Sequence, residues 1–334
     1  TFASCLPTAL GCKEGDTILP VVPMFHVNAW NTPYSALMIG AKQVFPGPKL
    51  DGESLYELLN AENVNYSLGV PTVWLGLLQY MEKTGKSLPH LRKGLCGGSA
   101  LPEALIRGFE KHGIELQQGW GMTEMSPIGT VNVLPPQVMS LPQDERIKYQ
   151  LKAGRSLPFV DMRIVSDDGV ELPRDGVSDG RLQVRGPSIV SSYYKATAPT
   201  LTMDGWFDTG DVAIIDEDGF LQITDRAKDV IKTGGEWVSS IDIENAALLH
   251  PGVANAAVIG VAHPKWQERP LLIVVKREGY DPGPQEIKDF LKKKLDKIAW
   301  PDAVEFVPEL PLGATGKVLK TELRKKFAGY ALSG

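Results

Sequence analysis

The chain has 334 residues, of which 22% are charged, and a formal net charge of −5. Because charges of both signs are mixed along the chain, the sequence predicts no nucleic-acid-binding surface. Each apolar run is broken well short of the roughly 18 residues that a membrane span needs. We therefore expect a soluble protein of two or three domains.

Three cysteines, Cys5, Cys12 and Cys96, give an odd count without metal-type spacing. This usage is typical of a reducing compartment, so we expect a cytoplasmic protein with Cys5 and Cys12 buried as small hydrophobic residues. The opening residues, TFASCLPTALG, include neither an initiator Met nor a signal peptide. We expect an upstream part of the protein that this sequence lacks.

Residues 16–24 form a short apolar run that predicts a buried strand, followed by the sequence FHVNAW at 25–30. A helix is predicted over 34–39 and a strand over 40–46. His26, beside aromatic residues at a strand end, fits a catalytic role and equally a histidine that is satisfied within the fold.

From residue 50 the predicted elements alternate. Strands are predicted at 66–70, 93–96 and 115–117, and helices at 54–62, 72–84 and 102–112. This alternation predicts an α/β fold with a helix-covered parallel sheet. Ligands of such sheets bind beyond the carboxyl ends of the strands, where the loops at 97–102 and 118–127 are expected.

These two loops carry residues suited to a nucleotide. Their glycines let a ligand approach the backbone, and Trp120, on a pliable loop, can stack on a base. Thr123 offers a hydroxyl group to phosphate, and Glu124 offers an oxygen ligand to Mg²⁺. Each residue alone also has a structural explanation, but together at strand ends they favour a nucleotide site.

Residues 135–151 are polar and proline-rich, and we expect an exposed excursion there. Short runs at 162–165, 180–184, 206–211, 212–216 and 221–224 then predict a small antiparallel β unit. Asp211 is predicted at a turn before a strand, where its carboxylate could hold a ribose diol or close an Asx turn.

The segment at 224–240, TDRAKDVIKTGGEWVSS, separates this region from a predicted small α+β domain. That domain has predicted helices at 241–249, 285–295 and 320–327, and predicted strands at 253–261, 270–276 and 303–307. Residues 312–318 end like a phosphate-binding loop, but Pro311 and Val318 break that pattern. What remains is Lys317 on a flexible tip.

Five motifs in order resemble those of the adenylate-forming superfamily, which contains acyl-CoA synthetases, luciferases and peptide-synthetase adenylation domains. They are QGWGMTE at 118–124, WFDTGD at 206–211, DRAKD at 225–229, GGE at 234–236 and PLGATGK at 311–317. The resemblance covers the whole chain. It implies a partial large α/β domain at 1–150, a β-rich subdomain at 151–227, and a mobile α+β lid at 228–334.

The resemblance also implies roles for individual residues, as follows. For the nucleotide, Gly98, Ser99 and Ala100 line the adenine site, Trp120 stacks on the base, Thr123 contacts the α-phosphate, Asp211 and Arg226 hold the ribose, and the rest of the nucleotide motif is Gln118, Gly119, Gly121 and Met122. Glu124 binds Mg²⁺, Lys317 is the catalytic lysine, and His26 and Trp30 face the acyl group.

In the C-terminal part, the resemblance implies that Lys228 is the hinge and that the CoA tunnel is flanked by Gly234, Gly235, Glu236 and Trp237.

By the same resemblance, a carboxylic acid and ATP give an acyl adenylate and pyrophosphate, and CoA then forms the thioester. The segments PMFHVNAW, GWGMTEMSP and GGEWVSS are similar to those of the medium- and long-chain fatty-acid ligases, a branch that includes 3-methylmercaptopropionyl-CoA ligases. Together with a bulky lining from Val73 and Trp74, it implies a short-to-medium fatty acid or a thioether acid as substrate, and a homodimer is a further expectation.

One expected part is missing. The family's Ser/Thr/Gly-rich phosphate loop precedes the first of these motifs and is absent from the sequence, so we expect these residues alone to bind AMP or acyl adenylate better than ATP. The alternatives are a luciferase-like oxygenase, a domain that adenylates for a carrier protein, and a catalytically inactive nucleotide-binding protein.

Overall fold

The computed structural model describes residues 6–332. The chain divides into two compact units: a large unit of Thr1–Thr209 with Ala213–Ile223, and a small unit of Gly210–Val212 with Thr224–Gly334. The predicted division at residues 150 and 227 into three parts stays a prediction.

A seven-stranded mixed sheet forms the centre of the large unit, in the order β2-β1-β3-β4-β5-β6-β7. Its strands are β1 (Thr17–Pro20), β2 (Lys42–Gln43), β3 (Tyr66–Gly69), β4 (Lys93–Cys96), β5 (Glu115–Gly121), β6 (Ile128–Val131) and β7 (Arg155–Ser156). The pairs formed among β1 to β5 are parallel, and β6 is antiparallel to both of its neighbours.

Six helices accompany this sheet, after a short π-helical segment at Leu6–Leu10. They are α1 (Thr32–Met38), α2 (Gly52–Ala61), α3 (Pro71–Thr84), α4 (Glu103–Glu110), α5 (Pro136–Met139) and α6 (Gln143–Gln150). Two buried apolar clusters pack around the sheet. In one of them Trp74 meets Phe109 edge to face, with the ring centroids 5.4 Å apart. Because Trp74 is only 1% exposed, it belongs to the core, and its predicted place in an acyl-pocket lining is corrected.

Residues 118–121, predicted to lie in a loop, continue β5. Gly119 pairs with Val131 and Trp120 with Thr130. The sequence did not indicate β6, a four-residue strand that lies between β5 and the short strand β7. Because glycine has no side chain, the Gly-rich stretch can sit close against β6.

The segment at 135–151 is mostly exposed, as predicted, but it is helical, because α5 and α6 lie in it. Ile147 is only 5% exposed and joins the apolar core of the large unit. The buried Asn132 amide donates hydrogen bonds of 2.6 Å to the carbonyl groups of Tyr149 and Lys152. Buried apolar residues, Val138 and Ile147, and the buried Asn132 amide therefore hold an otherwise polar segment in place.

A four-stranded sheet follows, in the order β11-β10-β9-β8. Its strands are β8 (Asp161–Val165), β9 (Gly180–Arg185), β10 (Phe207–Ile215) and β11 (Leu221–Arg226). The two predicted strands at 206–211 and 212–216 are one strand, so Asp211 lies mid-strand and its predicted position at a turn is wrong. Gly210 supplies the irregularity that suggested a turn, with φ of 71° inside the strand.

The small unit contains a five-stranded sheet in the order β13-β12-β15-β14, with β16 also paired to β15. The strands are β12 (Ile231–Thr233), β13 (Glu236–Val238), β14 (Val253–His263), β15 (Gln267–Lys276) and β16 (Ala303–Phe306). Its helices are α7 (Ser240–Leu248), α8 (Pro284–Leu291) and α9 (Lys320–Lys326), and a 3-10 turn spans Lys297–Ala299. Two apolar clusters fill this unit.

The predicted fold class is confirmed: a helix-covered, largely parallel sheet, an antiparallel sheet and a C-terminal α+β region all occur. Cys12 and Cys96 are buried free thiols, whereas Cys5 lies outside the described residues. Across positions 6–332, no helix has both the length and the apolar character needed to cross a bilayer.

Candidate functional site

The predicted adenine loop follows β4 directly, and Gly98 takes a positive φ of 84° there. The backbone amide of Leu101 donates a 3.1 Å hydrogen bond to Oε1 of Gln118. Gln118 lies on the neighbouring strand β5 and is only 5% exposed. This buried amide side chain fixes the 98–101 loop to β5, so the structure brings two of the predicted nucleotide segments together.

Gly121 ends β5 at a place without room for a side chain. A Cβ atom added to Gly121 would lie 2.0 Å from the carbonyl oxygen of Pro127. Trp120, predicted on a pliable loop, is instead part of β5, and its ring lies beside Gly129. The ring is partly buried against the cluster that contains Met125. Strand pairing thus limits the freedom of Trp120.

Thr123, Glu124 and Met125 form one 3-10 turn, which the segment at 188–193 holds in place. The amide of Val190 donates to the carbonyl oxygen of Glu124 at 2.7 Å. The Tyr193 hydroxyl donates to Oε1 of Glu124 at 2.8 Å. Sequence reasoning missed Tyr193, because it lies 69 residues from Glu124 and carries no motif of its own.

Glu124 fits the role of a magnesium ligand. Mg²⁺ in nucleotide sites is commonly held by one or two carboxylates together with the phosphate groups of the substrate. Among the residues described, no group of three or more His, Cys, Asp or Glu side chains could hold a metal ion. The half-buried Glu124 carboxylate, held by Tyr193, is the oxygen ligand that this turn offers.

His26 lies just before a turn of unusual hand. All five residues from Val27 to Asn31 have positive φ values, between 47° and 58°. L-residues disfavour this conformation by roughly 1–2 kcal/mol each. The Asn31 side-chain amide donates a 3.1 Å hydrogen bond to the carbonyl oxygen of Ser126, which ties this turn to the 3-10 turn of Glu124.

Trp30, predicted to face the acyl group, is 8% exposed and lies in an apolar cluster with Leu68 and Leu95. Its ring packs on Gly97, where an added Cβ would come within 3.0 Å of it. The structure therefore places Trp30 directly beside the residue that precedes the adenine loop.

Three charged residues of the small unit lie together: Asp211, Arg226 and Lys317. Nε of Arg226 is 3.6 Å from Oδ1 of Asp211, and Asp211 is only 7% exposed. Burial lowers the pKa of Lys317, the Arg226 guanidinium lowers it further, and Asp211 opposes the shift. Asp211 is thus the opposite charge that acts on the Lys317 ammonium, and Arg226 is the like charge.

The loop that carries Lys317 is a short hairpin. The Gly313 amide donates to the Lys317 carbonyl oxygen at 2.8 Å, and Leu312 bridges to Val318. Gly316, just before the lysine, has φ of 77°. The phosphate-loop resemblance of 312–318 thus reflects a turn that presents one lysine.

The predicted hinge residue, Lys228, is exposed in the turn that follows β11. On one side of it, the Ala227 amide donates to the Gly210 carbonyl oxygen at 3.0 Å. On the other, Asp229 forms a 2.7 Å ion pair with Arg324 of α9. Its backbone neighbours are therefore anchored, while the lysine side chain itself lies in solvent.

Gly234 and Gly235 form the two-residue tip between β12 and β13, with φ of 61° and 92°. Glycine is favoured where both central residues of a tight hairpin need positive φ. The Trp266 ring covers Gly234, where an added Cβ would lie 2.7 Å from it. Glu236 and Trp237 follow on β13, and Trp237 is 42% exposed. Sequence reasoning missed Trp266, which reaches the tip from the position just before β15.

Comparisons with known families agree with this arrangement. The family described as AMP-binding enzyme matches residues 1–194, and the family described as AMP-binding enzyme C-terminal domain matches residues 242–317. The first match covers more than half of the chain. The protein therefore belongs to the AMP-binding enzyme family.

Curated relatives narrow this class. A 3-methylmercaptopropionyl-CoA ligase of Ruegeria lacuscaerulensis is 49% identical over 100% of this chain and 62% of its own length. A long-chain-fatty-acid–CoA ligase of Thermus thermophilus is 47% identical over 99% of this chain and 62% of its own length. The chain thus spans about 62% of the length of these relatives and is similar to CoA ligases along that part.

Solved structures share the fold. ATP-bound MatB from Rhodopseudomonas palustris has a TM-score of 0.82 and 28% identity, covering 99% of this chain and 64% of MatB. The o-succinylbenzoate CoA synthetase MenE from Bacillus subtilis, in complex with its acyl-adenylate intermediate, has a TM-score of 0.79 and 27% identity, covering 97% of this chain and 63% of MenE.

Proposed function

We propose that the protein is an AMP-forming acyl-CoA synthetase. A carboxylate oxygen of the acid attacks the α-phosphorus of ATP, the bond to the β-phosphate oxygen breaks, and pyrophosphate leaves. The thiol of CoA then attacks the acyl carbonyl, and AMP leaves with its bonding electron pair. The observation that carries the proposal is the half-buried Lys317 ammonium, held beside Arg226 and Asp211 in a chain of this family.

Lys317 suits the first half-reaction for an electrostatic reason. Attack on the α-phosphate brings two anions together, and a cation prepared in advance stabilises that transition state. Burial makes the ammonium more effective because little water competes for its charge. Arg226 and the buried Asp211 offer a guanidinium group and a carboxylate that suit hydrogen bonds to a ribose diol.

In the large unit, the 98–101 loop and β5 supply a glycine-lined surface for adenine, with Trp120 available for stacking and Thr123 for the α-phosphate. Glu124 would hold Mg²⁺, which, when bound, neutralises charge on the pyrophosphate leaving group. His26, at the start of the left-handed turn, is assigned to the reacting carboxylate, with Trp30 beside it.

The second half-reaction needs a different surface, because the thiol attacks the acyl carbonyl carbon and displaces AMP, whereas the first half-reaction takes place at the α-phosphorus. We assign this surface to Gly234–Trp237, where the glycine tip leaves room for a thin substrate arm. Rotation about Lys228 would exchange it with Lys317, a hinge-type change. Lys228→Pro would fix φ and impair that rotation, so adenylation is expected to persist while overall thioester formation falls.

The substrate is proposed to be a short-to-medium fatty acid or 3-methylmercaptopropionate. The names of the relatives support both choices, since they include 3-methylmercaptopropionyl-CoA, medium-chain and long-chain fatty-acid ligases. A cytoplasmic location agrees with the buried free thiols of Cys12 and Cys96. The homodimer stays a prediction that light scattering can check.

The deciding experiment measures AMP release by the natural full-length chain over short, medium and thioether acids, with and without CoA. We expect acid-dependent AMP release that CoA accelerates, together with an acyl-CoA product. Light or CO₂ output would identify a luciferase-like oxygenase, and transfer only to a carrier protein would identify a carrier-directed enzyme. Nucleotide binding without turnover on any acid would overturn the proposal.

A further inference from the structure

A second lysine of the small unit has surroundings opposite to those of Lys317. Lys320, three residues further on, begins α9, and only 15% of its side chain is exposed. Its Nζ lies 2.8 Å from Oε1 of Glu244 and donates to Oγ of Ser240 at 2.6 Å. Lys320 thus joins α9 to α7 through two polar contacts inside the protein.

The same cluster includes the residue just before Arg226. Asp225 is 2% exposed, and its Oδ2 accepts a 2.8 Å hydrogen bond from the Ser240 amide. Its Oδ1 accepts from the Arg226 amide at 2.7 Å. Ser240 therefore contacts both Lys320 and Asp225, so a continuous polar path runs from Lys320, three residues after Lys317, to the backbone of Arg226.

The charges of Lys320, Asp225 and Glu244 act on one another inside the protein. Burial raises the pKa of Asp225 and of Glu244, and Lys320 opposes both shifts. The two carboxylates raise the pKa of Lys320 above its ordinary value despite its burial. Helix stability does not explain Lys320, because a cation at the first position of a helix opposes the helix dipole.

We propose that Lys320 is a positioning residue for the first half-reaction: through Ser240, Asp225 and Glu244 it sets where the Lys317 loop lies relative to Arg226. This inference rests on the proposed function for its kinetic consequence, but its structural part can be tested independently. Misplacement of a catalytic group by about 1 Å can cost on the order of 100-fold in rate.

The test compares Lys320→Met, Lys320→Arg and the matched control Lys325→Met in the natural full-length chain. Lys325 lies on the same helix with 73% of its side chain exposed, and it pairs with Glu322. Two rates are measured: acid-dependent ATP–pyrophosphate exchange, and thioester formation from supplied acyl adenylate. Hydrogen exchange is followed at residues 224–230 and 311–319.

For Lys320→Met we expect pyrophosphate exchange to fall by roughly 10- to 100-fold, with a much smaller loss of thioester formation. Backbone hydrogen exchange should rise in both segments. Lys320→Arg should restore most of the rate because it keeps the buried cation, and Lys325→Met should match the wild type. An equal loss in both half-reactions, or unchanged hydrogen exchange, would overturn the inference.

Removal of one buried cation could unfold the small unit, and a loss of activity would then say nothing about positioning. A second variant separates the two effects. Lys320→Met combined with Glu244→Gln removes both charges and is expected to fold. Low pyrophosphate exchange in the folded double variant supports a positioning role, whereas full recovery shows that Lys320 only stabilises the fold. If the wild type activates no acid, the proposed function fails, and hydrogen exchange still tests the contact path.

Discussion

The two regions that carry the candidate site residues are held in place by different forces. In the large unit, the segment from Gly121 to Ser126 is fixed by close backbone packing and by hydrogen bonds from Val190 and Tyr193. In the small unit, the buried Asp225 carboxylate holds the segment around Arg226, and the Lys317 loop leads into Lys320, whose ammonium pairs with Glu244. Substitutions in the first region should therefore act through stability and shape, and those in the second through the alignment of charge.

Lys317→Ala should have the largest effect. Loss of one well-placed charge or donor in a transition state typically costs about 100- to 1000-fold in rate. Adenylation should fall by that amount, whereas thioester formation from supplied acyl adenylate should remain largely intact. Single-turnover assays of each half-reaction measure the difference. Equal losses in both steps would contradict the assignment of Lys317 to one of them.

The same variant should not weaken the fold. A lysine whose pKa is lowered in the folded protein binds its proton less tightly there than in the unfolded chain, so at neutral pH its charge lowers stability. Urea unfolding at pH 7 should accordingly show unchanged or slightly higher stability for Lys317→Ala.

Gly121→Ala, unlike Lys317→Ala, should lower the stability of the fold. Its new Cβ would lie 2.0 Å from the Pro127 carbonyl oxygen and 2.8 Å from Cα of Ile128, and both are backbone atoms that cannot simply rotate away. Overpacking of this kind costs about 1–3 kcal/mol or more in the free energy of unfolding. Gly47→Ala is the control, because an added Cβ there meets nothing within 4 Å. Similar urea midpoints for the two variants would contradict the packing argument.

Tyr193→Phe should have a smaller effect on the same region. The variant removes one hydrogen bond to Glu124, worth about 0.5–1.5 kcal/mol. We expect the Mg²⁺ concentration for half-maximal nucleotide binding to rise by roughly 2- to 10-fold, as calorimetry can measure. Tyr194→Phe is the matched control, because Tyr194 is adjacent and 90% exposed. A shift of the same size in both variants would exclude a specific role for Tyr193.

The smallest of the expected effects is that of pH on the rate of adenylation. Because burial lowers the pKa of Lys317, the ammonium loses its proton at a lower pH than an ordinary lysine. Adenylation should therefore decline on the alkaline side, below the pH at which exposed lysines titrate, and thioester formation from acyl adenylate should not decline with it. In Lys317→Arg, whose guanidinium stays charged, the residual rate should lack this decline.

The sequence predicted the fold class and the order of the elements because long apolar runs and Gly or Pro boundaries are local signals. It missed β6, β12 and β13, which have only three or four residues each, too few for an alternating apolar pattern to be distinct. It also placed Asp211 at a turn, because a glycine inside β10 resembles a turn until pairing is known.

Motifs located the candidate site residues, but the residues that hold these segments in place lie far from them in sequence. Tyr193 reaches Glu124 across 69 residues, and Lys320 reaches Ser240 across 80. Neither tyrosine nor lysine in a polar segment is unusual, so no local pattern distinguishes them. Long-range contacts of this type become visible only when the strands and helices that carry them are placed in three dimensions.

The buried thiols offer a practical route to the proposed hinge motion. Burial raises the pKa of Cys12 to about 12 and that of Cys96 above its ordinary value, so neither thiol reacts readily with maleimide or methanethiosulfonate reagents. With Cys5 replaced by serine, a cysteine introduced on the surface of each unit could carry a spin label or a fluorophore with little background. Distance distributions from such a pair, with and without nucleotide and CoA, would measure the rotation directly.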